Sequence, residues 1–424
     1  MNFFQKCENL IFLVRRSMRQ HALSTVITVL SVALATGLTM SVFSIQHQTR
    51  TAFTGGKVGF DAVLGARGSQ LQLVLNAVYQ LETSPGNIPW SLYEAVKNDP
   101  RVALAIPYAV GDNYYGFRIV GTTGDIFTKF EYQAGKHLTV APGGRVFDPA
   151  QREAVIGSFV AQKLGLNVGS TFKPFHGLFF DPNMQHEEVF NVVGVLQPTN
   201  TPSDRVVWIP IDDVYRMKGH VLRGAGKEYV AKEGVEIPDA DKEVSAVMLK
   251  FYSPQAGFML DQTINRQGKV ATLAWPIGKV MADLFDKMGW VSKILTLVAY
   301  LVMVVAAGSI LSSLYNTMNE RRREFAILRS LGANRATVFS SIVLEAAGIA
   351  GLGSLFGFAV YFAVFGLAAL VVRQQTGVVL EVFQFHPSLL AVPVGMTLLG
   401  ALSGLIPAFK AYATDVARNL DPLS

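Results

Sequence analysis

The chain has 424 residues, enough for two or three domains, and half of them are hydrophobic. A mean hydropathy of +0.32 is too high for an ordinary soluble protein. Residues 50–287 contain 24 basic and 24 acidic residues, so the net charge of +6 comes from the chain ends and the apolar regions with their loops. That distribution argues against a nucleic-acid-binding protein and is typical of a membrane protein with basic cytoplasmic margins.

Residues 1–21 are predicted to form an amphipathic helix on the cytoplasmic side of a membrane. Apolar side chains alternate there with Lys6, Arg15, Arg16 and Arg19. Residues 22–44 come next without a charge, a run longer than the core of a signal peptide and close to the ~20 residues that cross a bilayer. We therefore expect a retained first transmembrane helix with the N-terminus in the cytoplasm, because basic flanks resist translocation.

Residues 45–289 have short apolar runs and mixed charge, which predicts an α+β domain on the outer side of the membrane. The only cysteine of the sequence, Cys7, cannot form an internal disulfide, so the core alone must hold this domain together. Gly111-Asp112-Asn113 is predicted as the turn between strands at 102–109 and 114–120. Residues 212–243, rich in charge and glycine, are predicted as a surface insertion. The other predicted helices cover 71–81, 90–97, 158–164 and 254–266, and the other predicted strands cover 153–156, 170–173, 188–196, 206–209 and 245–251.

Three further spans are predicted, at 290–315, 337–372 and 388–411, the last broken by Pro393 and Pro407. Apolar residues at helical spacing run from Ile277 to Met288 into the second span. They predict either one long stalk helix or an amphipathic helix packed on the outer domain. Residues 373–387 form a short outer loop, and 412–424 form a cytoplasmic tail. The expected fold is thus a four-span α-helical membrane protein with an α+β domain between its first two spans.

A search for catalytic motifs finds none. Gly55-Gly56-Lys57 lacks the earlier glycine and the hydroxyl of a phosphate-binding loop, and no Gly-x-Ser-x-Gly elbow occurs. We therefore expect no enzyme active site in this chain. His176, Asp181, His186 and Glu187 could bind a metal, but their spacing matches no established site and favours a solvated loop, so no metal ligand is assigned. The neighbouring apolar residues Phe175, Leu178, Phe179 and Phe180 could form an exposed tip or pack on the domain.

Residues 316–336, between the second and third spans, are predicted as a cytoplasmic amphipathic helix. Phe325, Leu328 and Leu331 recur at helical spacing, and Gly332 stands where a helix would end. Arginines, among them Arg323 and Arg329, surround this stripe. The alternative is a solvated basic loop that only sets topology.

The segment 323–333, with Arg323-Glu324, Leu328-Arg329 and Leu331-Gly332-Ala333, resembles the coupling-helix signature of the MacB/FtsX family of ABC-transporter permeases. Residues 153–157, 163–172 and 190–195 resemble, more loosely, the extracytoplasmic core domain of MacB-like permeases. The end of the chain, from Pro407 to Pro422, is similar to the closing pattern of the family. The resemblance implies that Arg323, Glu324 and Arg329 couple the chain to an ATPase. Phe325, Leu328 and Leu331 would then form the docking stripe, and Gly332 would end the helix.

The resemblance also implies a permease subunit of the inner membrane, with both termini cytoplasmic and the large domain periplasmic. This chain would bind no cofactor, since ATP and Mg²⁺ would be held by two copies of a separate ATP-binding subunit. A second permease copy would complete a homodimer or heterodimer among membrane lipid, and a periplasmic adaptor or substrate-binding protein could join them. The expected task is export or extraction of cargo. The alternatives are a lipoprotein-releasing permease and an FtsX-like regulator of a cell-wall hydrolase.

Small residues recur four apart in the predicted spans, which lets helix backbones approach closely in lipid. Packing within the chain explains most of this pattern, and the family resemblance implies that some of these faces form a dimer contact. Glu345, near the start of the third span, is expected to have a structural role there, favoured by the helix N-terminus. The glycines with this expectation are Gly37, Gly308, Gly353, Gly357, Gly400 and Gly404.

The predicted topology can be tested at Cys7. If the N-terminus is cytoplasmic, Cys7 should resist a membrane-impermeant thiol reagent in intact cells and react after permeabilisation. A cysteine introduced at an exposed position of the outer domain serves as the positive control. Ready labelling of Cys7 in intact cells would contradict the topology.

Overall fold

The computed structural model describes residues 3–54, 58–218, 220, 237–330 and 332–413. These residues form two compact units. The helical unit is drawn from Met1–Gln48, Met288–Leu370 and Glu381–Ser424, and the sheet unit from Thr49–Lys287 and Val371–Leu380. Most of the predicted insertion at 212–243, the end of the chain after Ala413 and Leu331 lie outside the described residues.

The described α-helices are named here in chain order. They are α1 Phe3–Gln20, α2 Ala22–Thr54, α3 Gln70–Ala77, α4 Trp90–Lys97, α5 Asp125–Thr128, α6 Ser158–Leu164, α7 Ile211–Arg216, α8 Pro254–Asp261, α9 Ile277–Lys287, α10 Gly289–Glu320, α11 Arg322–Ser330, α12 Arg335–Thr376, α13 Ser388–Ser403 and α14 Leu405–Ala413. A 3₁₀ turn at Pro202–Arg205 and a π-helical turn at Gln262–Gln267 add to these.

Four stretches of the described chain are long and apolar enough to cross a membrane, as predicted. They are Ala22–Thr54, Gly289–Met318, Arg335–Thr376 and Ser388–Tyr412. Both α2 and α12 continue past the ~20 residues that hydrocarbon requires, because the polar residues after each apolar run are still compatible with a helix.

Two expectations about the spans are wrong. The stalk is not one unbroken helix, because a turn at Met288 separates α9 from α10. The fourth span is interrupted at Gly404 rather than at its prolines. Pro393 lies inside α13, and Pro407 lies in the first turn of α14, where a missing N–H costs little.

The sheet unit is built on a mixed, mainly antiparallel sheet, which confirms the α+β expectation. The described strands pair in the order β14-β1-β13-β3-β4-β11-β7-β10-β8, with β9 also on β3. The small ladders β12-β2 and β5-β6 stand apart. The strands are β1 Ala62–Ala66, β2 Ile88–Pro89, β3 Val102–Tyr114, β4 Phe117–Thr122, β5 Glu131–Gln133, β6 Lys136–His137, β7 Glu153–Ile156, β8 Thr171–Phe172, β9 Phe175–His176, β10 Phe190–Val195, β11 Val207–Pro210, β12 Glu243–Val244, β13 Ala246–Phe251 and β14 Ala271–Ala274.

Strand β3 corrects the sequence-based prediction of a turn at Gly111-Asp112-Asn113. These residues continue the strand, with a β-bulge between Val110 and Asp112, and the turn comes later, at Tyr115 and Gly116. Turn-forming residue types misled the prediction, since glycine and aspartate also occur in bulges. The bulge matters because it leaves Asp112 fully buried within the sheet unit.

The core of the sheet unit lies between the strands and the short helices that cover them. Its side chains come from nearly every central strand, including Leu64, Ile119, Ile156, Ile209 and Leu249, each almost completely buried. Helices α3, α4, α7 and α8 pack against strands of this sheet. The helix N-termini are capped where the sequence supplies a hydroxyl, as at Ser253, whose Oγ accepts from the backbone N–H of Ala256.

In the helical unit, glycines let α12 approach α2 and α13 closely. A Cβ at Gly353 would lie 2.5 Å from the Cβ of Val32, and one at Gly357 would lie 2.9 Å from that of Thr36. A Cβ at Gly37 would meet Val360, and Cβ atoms at Gly400 and Gly404 would meet Ala350 and Ala346. Five of the six predicted packing glycines therefore serve contacts within the chain. A Cβ at Gly308, on α10, would meet no described atom within 4 Å.

This contrast generates a paired prediction. Gly353→Ala should lower the melting temperature of the full chain in detergent, because overpacking costs about 1–3 kcal/mol. Gly308→Ala should leave the melting temperature unchanged or slightly higher, because Ala favours the helix. Equal losses in the two variants would contradict the assigned contacts.

Asp213 is a buried acidic residue of the sheet unit. Its side chain is buried in α7, and Oδ2 has no hydrogen-bond partner. Burial raises the pKa of Asp213 to about 7. Arg152 and Arg216 lower that pKa and Asp212 raises it, but burial is the largest effect.

The raised pKa predicts a pH-dependent stability. Between the unfolded pKa of 3.8 and the folded pKa of about 7, the folded chain binds more protons, so its free energy of unfolding falls as pH rises. Asp213→Asn should remove this loss, worth up to about 4 kcal/mol at pH 8. Thermal unfolding of the full chain in detergent at pH 5 and pH 8 should show about 3 kcal/mol of this loss, because the rest occurs below pH 5.

The control is Asp283→Asn, at an exposed position of α9. Its pH profile should match that of the unsubstituted chain. If Asp213→Asn also matched it, the burial argument would fail.

Candidate functional site

The predicted coupling segment, residues 316–336, is not one helix, because α10 includes residues up to Glu320 and α12 begins at Arg335. Its central part, Arg322–Ser330, is a separate short helix, α11. Helix α11 begins directly after Arg321, the C-cap residue of α10. The backbone N–H of Phe325 donates to the carbonyl of Arg321 at 3.1 Å. Glu324 in its first turn and Arg329 in its last turn suit the helix dipole. Gly332 has a φ of +97°, and its N–H donates to the carbonyl of Arg329 at 3.1 Å. The predicted helix end at Gly332 is confirmed.

The apolar side of α11 packs within the chain itself. Phe325 and Ala326 are buried, and Phe325 belongs to a cluster with residues of α10, α12 and α14. Leu328 is partly buried against the same cluster. The cluster consists of Met318, Phe325, Val338, Ile342, Ala408 and Ala411. The expected open docking stripe is therefore wrong for Phe325, whose side chain holds α11 in place.

A polar network ties the first turn of α11 to α1 and α12. Arg321 Nε donates to Glu324 at 3.1 Å, and Arg321 Nη1 donates to Glu345 at 3.3 Å. Ser17 donates to Glu345 and accepts from Arg321, and Gln20 Nε2 donates to Glu324 at 3.1 Å. We name these five residues, Ser17, Gln20, Arg321, Glu324 and Glu345, the Arg321 network.

The Arg321 network keeps the carboxylate of Glu324 ionised. Burial tends to raise the pKa of Glu324, but the hydrogen bonds from Gln20 and Arg321 outweigh it and hold that pKa below its ordinary value. Glu324 is therefore an ionised partner of Arg321 at neutral pH.

Sequence reasoning identified Glu345 as structural but did not find its partners. A carboxylate in an apolar run is itself a signal that a partner exists. Ser17 and Arg321 could not be chosen from the sequence, because they are 328 and 24 residues away.

Among the side chains of α11 that the structure describes, those exposed to solvent are Arg323, Ile327 and Ser330. Ile327 is 44 % exposed, and it lies one helical turn after Arg323, so the two share a face. We name Arg323 and Ile327 the open face of α11. Arg329 is partly buried. The roles of Arg323, Glu324 and Arg329 in coupling stay predictions.

The histidine loop of the sheet unit differs from its prediction. His176 and His186 do come together, but Asp181 is exposed and hydrogen-bonds within its own turn. The side chains that join the histidines are Asp112 and His220, and His186 is buried rather than solvated. Neither Asp112, taken for a turn residue, nor His220 carried a sequence signal for this.

Electrostatics hold this group together. Burial tends to raise the pKa of Asp112, but the three imidazoles outweigh it and keep that pKa well below its ordinary range. In return, the Asp112 carboxylate, 3.5 Å from His176 Nδ1, raises the pKa of His176 above its usual value, against a smaller opposing effect of burial.

The residues of the predicted apolar loop tip differ in their exposure. Phe175 is buried, stacks on Tyr114 and meets Tyr115 edge to face, while Phe179 is 73 % exposed and Phe180 is partly exposed. Both alternatives of the prediction therefore hold, each for different residues.

Comparison with protein families covers both units. Residues 25–247 match the model of the MacB-like periplasmic core domain, and residues 296–416 match the model of the FtsX-like permease C-terminal region.

Among curated proteins, the chain is similar to the macrolide export ATP-binding/permease protein MacB of Bordetella avium (strain 197N). The two are 21 % identical over 239 residues, which is 54 % of this chain and 33 % of the relative. The probable syringafactin export ATP-binding/permease protein SyfD of Pseudomonas syringae pv. tomato is 24 % identical over 222 residues, 50 % of this chain and 29 % of the relative. The matched region thus spans about a third of the length of these relatives.

Among solved structures, the periplasmic region of MacB from Actinobacillus actinomycetemcomitans aligns with a TM-score of 0.33 and 11 % identity. It covers 54 % of this chain and 94 % of that one. The extracellular domain of the transporter YknZ from Gram-positive bacteria aligns with a TM-score of 0.27 and 16 % identity over 50 % of this chain and 97 % of that one.

The core-domain model alone matches more than half of the chain, and the permease model matches most of the C-terminal part beyond it. With four apolar helices long enough to cross a membrane and an α/β sheet unit between the first two, the chain belongs to the MacB/FtsX-like family of ABC transporter permeases.

Proposed function

We propose that this chain is the membrane-spanning subunit of an ABC complex in which a separate subunit binds and hydrolyses ATP. The chain transmits the resulting movement to its periplasmic sheet unit, which exports or extracts cargo. Two ATP-binding subunits and a second permease copy, identical or similar, complete the complex. The names of the relatives join an ATP-binding and a permease function, which supports the pairing of these two activities here.

One observation carries the proposal. Helix α11 is anchored by two sets of contacts, those of Phe325 in the apolar cluster and those of the Arg321 network. Arg323 and Ile327 remain exposed. A force on the open face would therefore move α1, α10 and α12 together rather than bend α11 alone, because packed interiors transmit strain.

Continuous backbone can carry that movement onward. Helix α2 runs without a break from Ala22 to Thr54, and only Met288 separates α9 from α10. These two stretches lead the chain from the helical unit into the sheet unit. Helices are stiff along their axis, so they suit such transmission.

The open face gives the test of this proposal. The permease is purified from native membranes with its neighbours, and the bound ATP-binding subunit is identified by mass spectrometry and its ATPase activity measured. Arg323→Glu and Ile327→Asp should each reduce the amount bound about tenfold or more, because loss of an interface hot spot costs about 2 kcal/mol.

The matched control is Arg16→Glu, the same charge change at an exposed position of α1. It should retain the ATP-binding subunit. Phe325→Ala should instead lower the melting temperature of the permease itself, because truncating a buried phenylalanine costs about 3–5 kcal/mol of unfolding free energy. If both open-face variants kept undiminished binding and activity, the assignment of α11 as the coupling helix would be wrong.

A further inference from the structure

Four ligand-type side chains converge at the end of strand β3 in the sheet unit. His186 Nε2 lies 3.0 Å from Asp112 Oδ1, His220 Nε2 lies 3.2 Å from it, and His176 Nδ1 lies 3.5 Å from it. The four potential ligand atoms all lie within 4.8 Å of one another. Three of the seven histidines in the sequence therefore meet around one carboxylate oxygen. We name Asp112, His176, His186 and His220 the histidine cluster.

The backbone brings these residues together from distant parts of the chain. The β-bulge leaves Asp112 opposite His176, because strand β9 pairs with β3 at this point. His186 is placed by its backbone N–H, which donates to the carbonyl of Pro174 at 2.9 Å. Gly111 leaves room for the fourth member, since a Cβ there would lie 3.2 Å from Cε1 of His220.

The negative charge of the Asp112 carboxylate is not balanced in the usual way. Asp112 is 1 % exposed, and its Oδ2 has no hydrogen-bond partner. Among the described residues, its ion-pair partners are the three histidines, with no lysine or arginine. A buried charge of this kind is costly unless it is paired or coordinates a metal.

A second carboxylate, that of Glu188, lies next to the histidine cluster. His186 turns Nε2 toward Asp112 and Nδ1 toward Glu188 Oε2, at 3.9 Å. Glu188 is itself positioned by the backbone N–H of Lys218, which donates to Oε1 at 3.0 Å. A carboxylate facing the outer ring nitrogen is the usual support of a metal-binding histidine.

We propose that the histidine cluster is a Zn²⁺ site with three imidazole nitrogens and one carboxylate oxygen as ligands. Imidazole donors suit zinc, whereas Ca²⁺ and Mg²⁺ prefer oxygen alone. Four protein ligands fill a tetrahedral shell and indicate a structural rather than a catalytic ion. With bonds of about 2.0–2.1 Å, the ligand atoms would stand roughly 3.3 Å apart, so side-chain shifts of about 1 Å complete the site.

The bound ion would fix the loop between β9 and β10. Asn113, next to Asp112, already ties the loop to β3, because its Nδ2 donates to the carbonyls of Gly177 and Phe179 at 2.9 and 3.0 Å. The loop carries the exposed side chains of Phe179 and Phe180. Zinc would hold the base of this loop and also His220, so it would set how the aromatic tip is presented.

The test uses the full chain in detergent, purified with a histidine-free tag and stripped with a chelator that is then removed. Titration with ZnCl₂ in a calorimeter should show one ion per chain. Co²⁺ in its place should give the strong visible absorption of a tetrahedral complex. Hydrogen exchange of the amides in residues 177–185 should slow when Zn²⁺ is added.

Variants assign the binding to the cluster. His186→Ala and His220→Ala should each weaken Zn²⁺ binding by at least about 100-fold, and Glu188→Gln by about tenfold, the range seen for outer partners of a metal ligand. His137→Ala removes another histidine of the sheet unit, one that bonds the carbonyl of Phe130, and should bind as the unsubstituted chain does. Circular dichroism and melting temperature check that each variant folds.

Failure to bind Zn²⁺ in the unsubstituted chain would overturn the proposal. Binding that persists in folded His186→Ala and His220→Ala, or that is lost equally in His137→Ala, would overturn it too. If a ligand variant does not fold, Glu188→Gln and Gly111→Ala decide, since both keep all four ligands. Unchanged affinity in both would exclude the site.

Discussion

The helical unit depends on the burial of one carboxylate. Glu345 is 5 % exposed in α12, and a buried charge is tolerated only with a partner. Arg321 and Ser17 provide that partner from α10 and α1. Removing one side of such a pair costs about 3–5 kcal/mol, because the other charge stays buried. Three helices are therefore held in one arrangement at the point where α11 begins.

The apolar cluster adds a second attachment of α11. Phe325 packs with α10, α12 and α14, while the Arg321 network reaches α1 and α12. Such double anchoring distinguishes α11 from a solvated basic loop.

Strand β3 has the corresponding role in the sheet unit. Its first part pairs with β13 and its last part with β4 and β9, so it joins the two halves of the sheet. The bulge near its end breaks the regular alternation of side chains. As a result, a buried carboxylate lies beside three imidazoles.

The sequence by itself determined the four spans, the α+β character of the domain between the first two, and the helix that ends at Gly332. These features are local, because hydropathy, periodicity and a glycine of positive φ act within a few turns of chain. Only the tertiary structure decided that Phe325 is buried, that Gly353 faces Val32 and Gly400 faces Ala350, and that Asp112 belongs with His176, His186 and His220. Those contacts join residues up to several hundred positions apart. They depend on strand register, one bulge and helix packing, which no local pattern specifies.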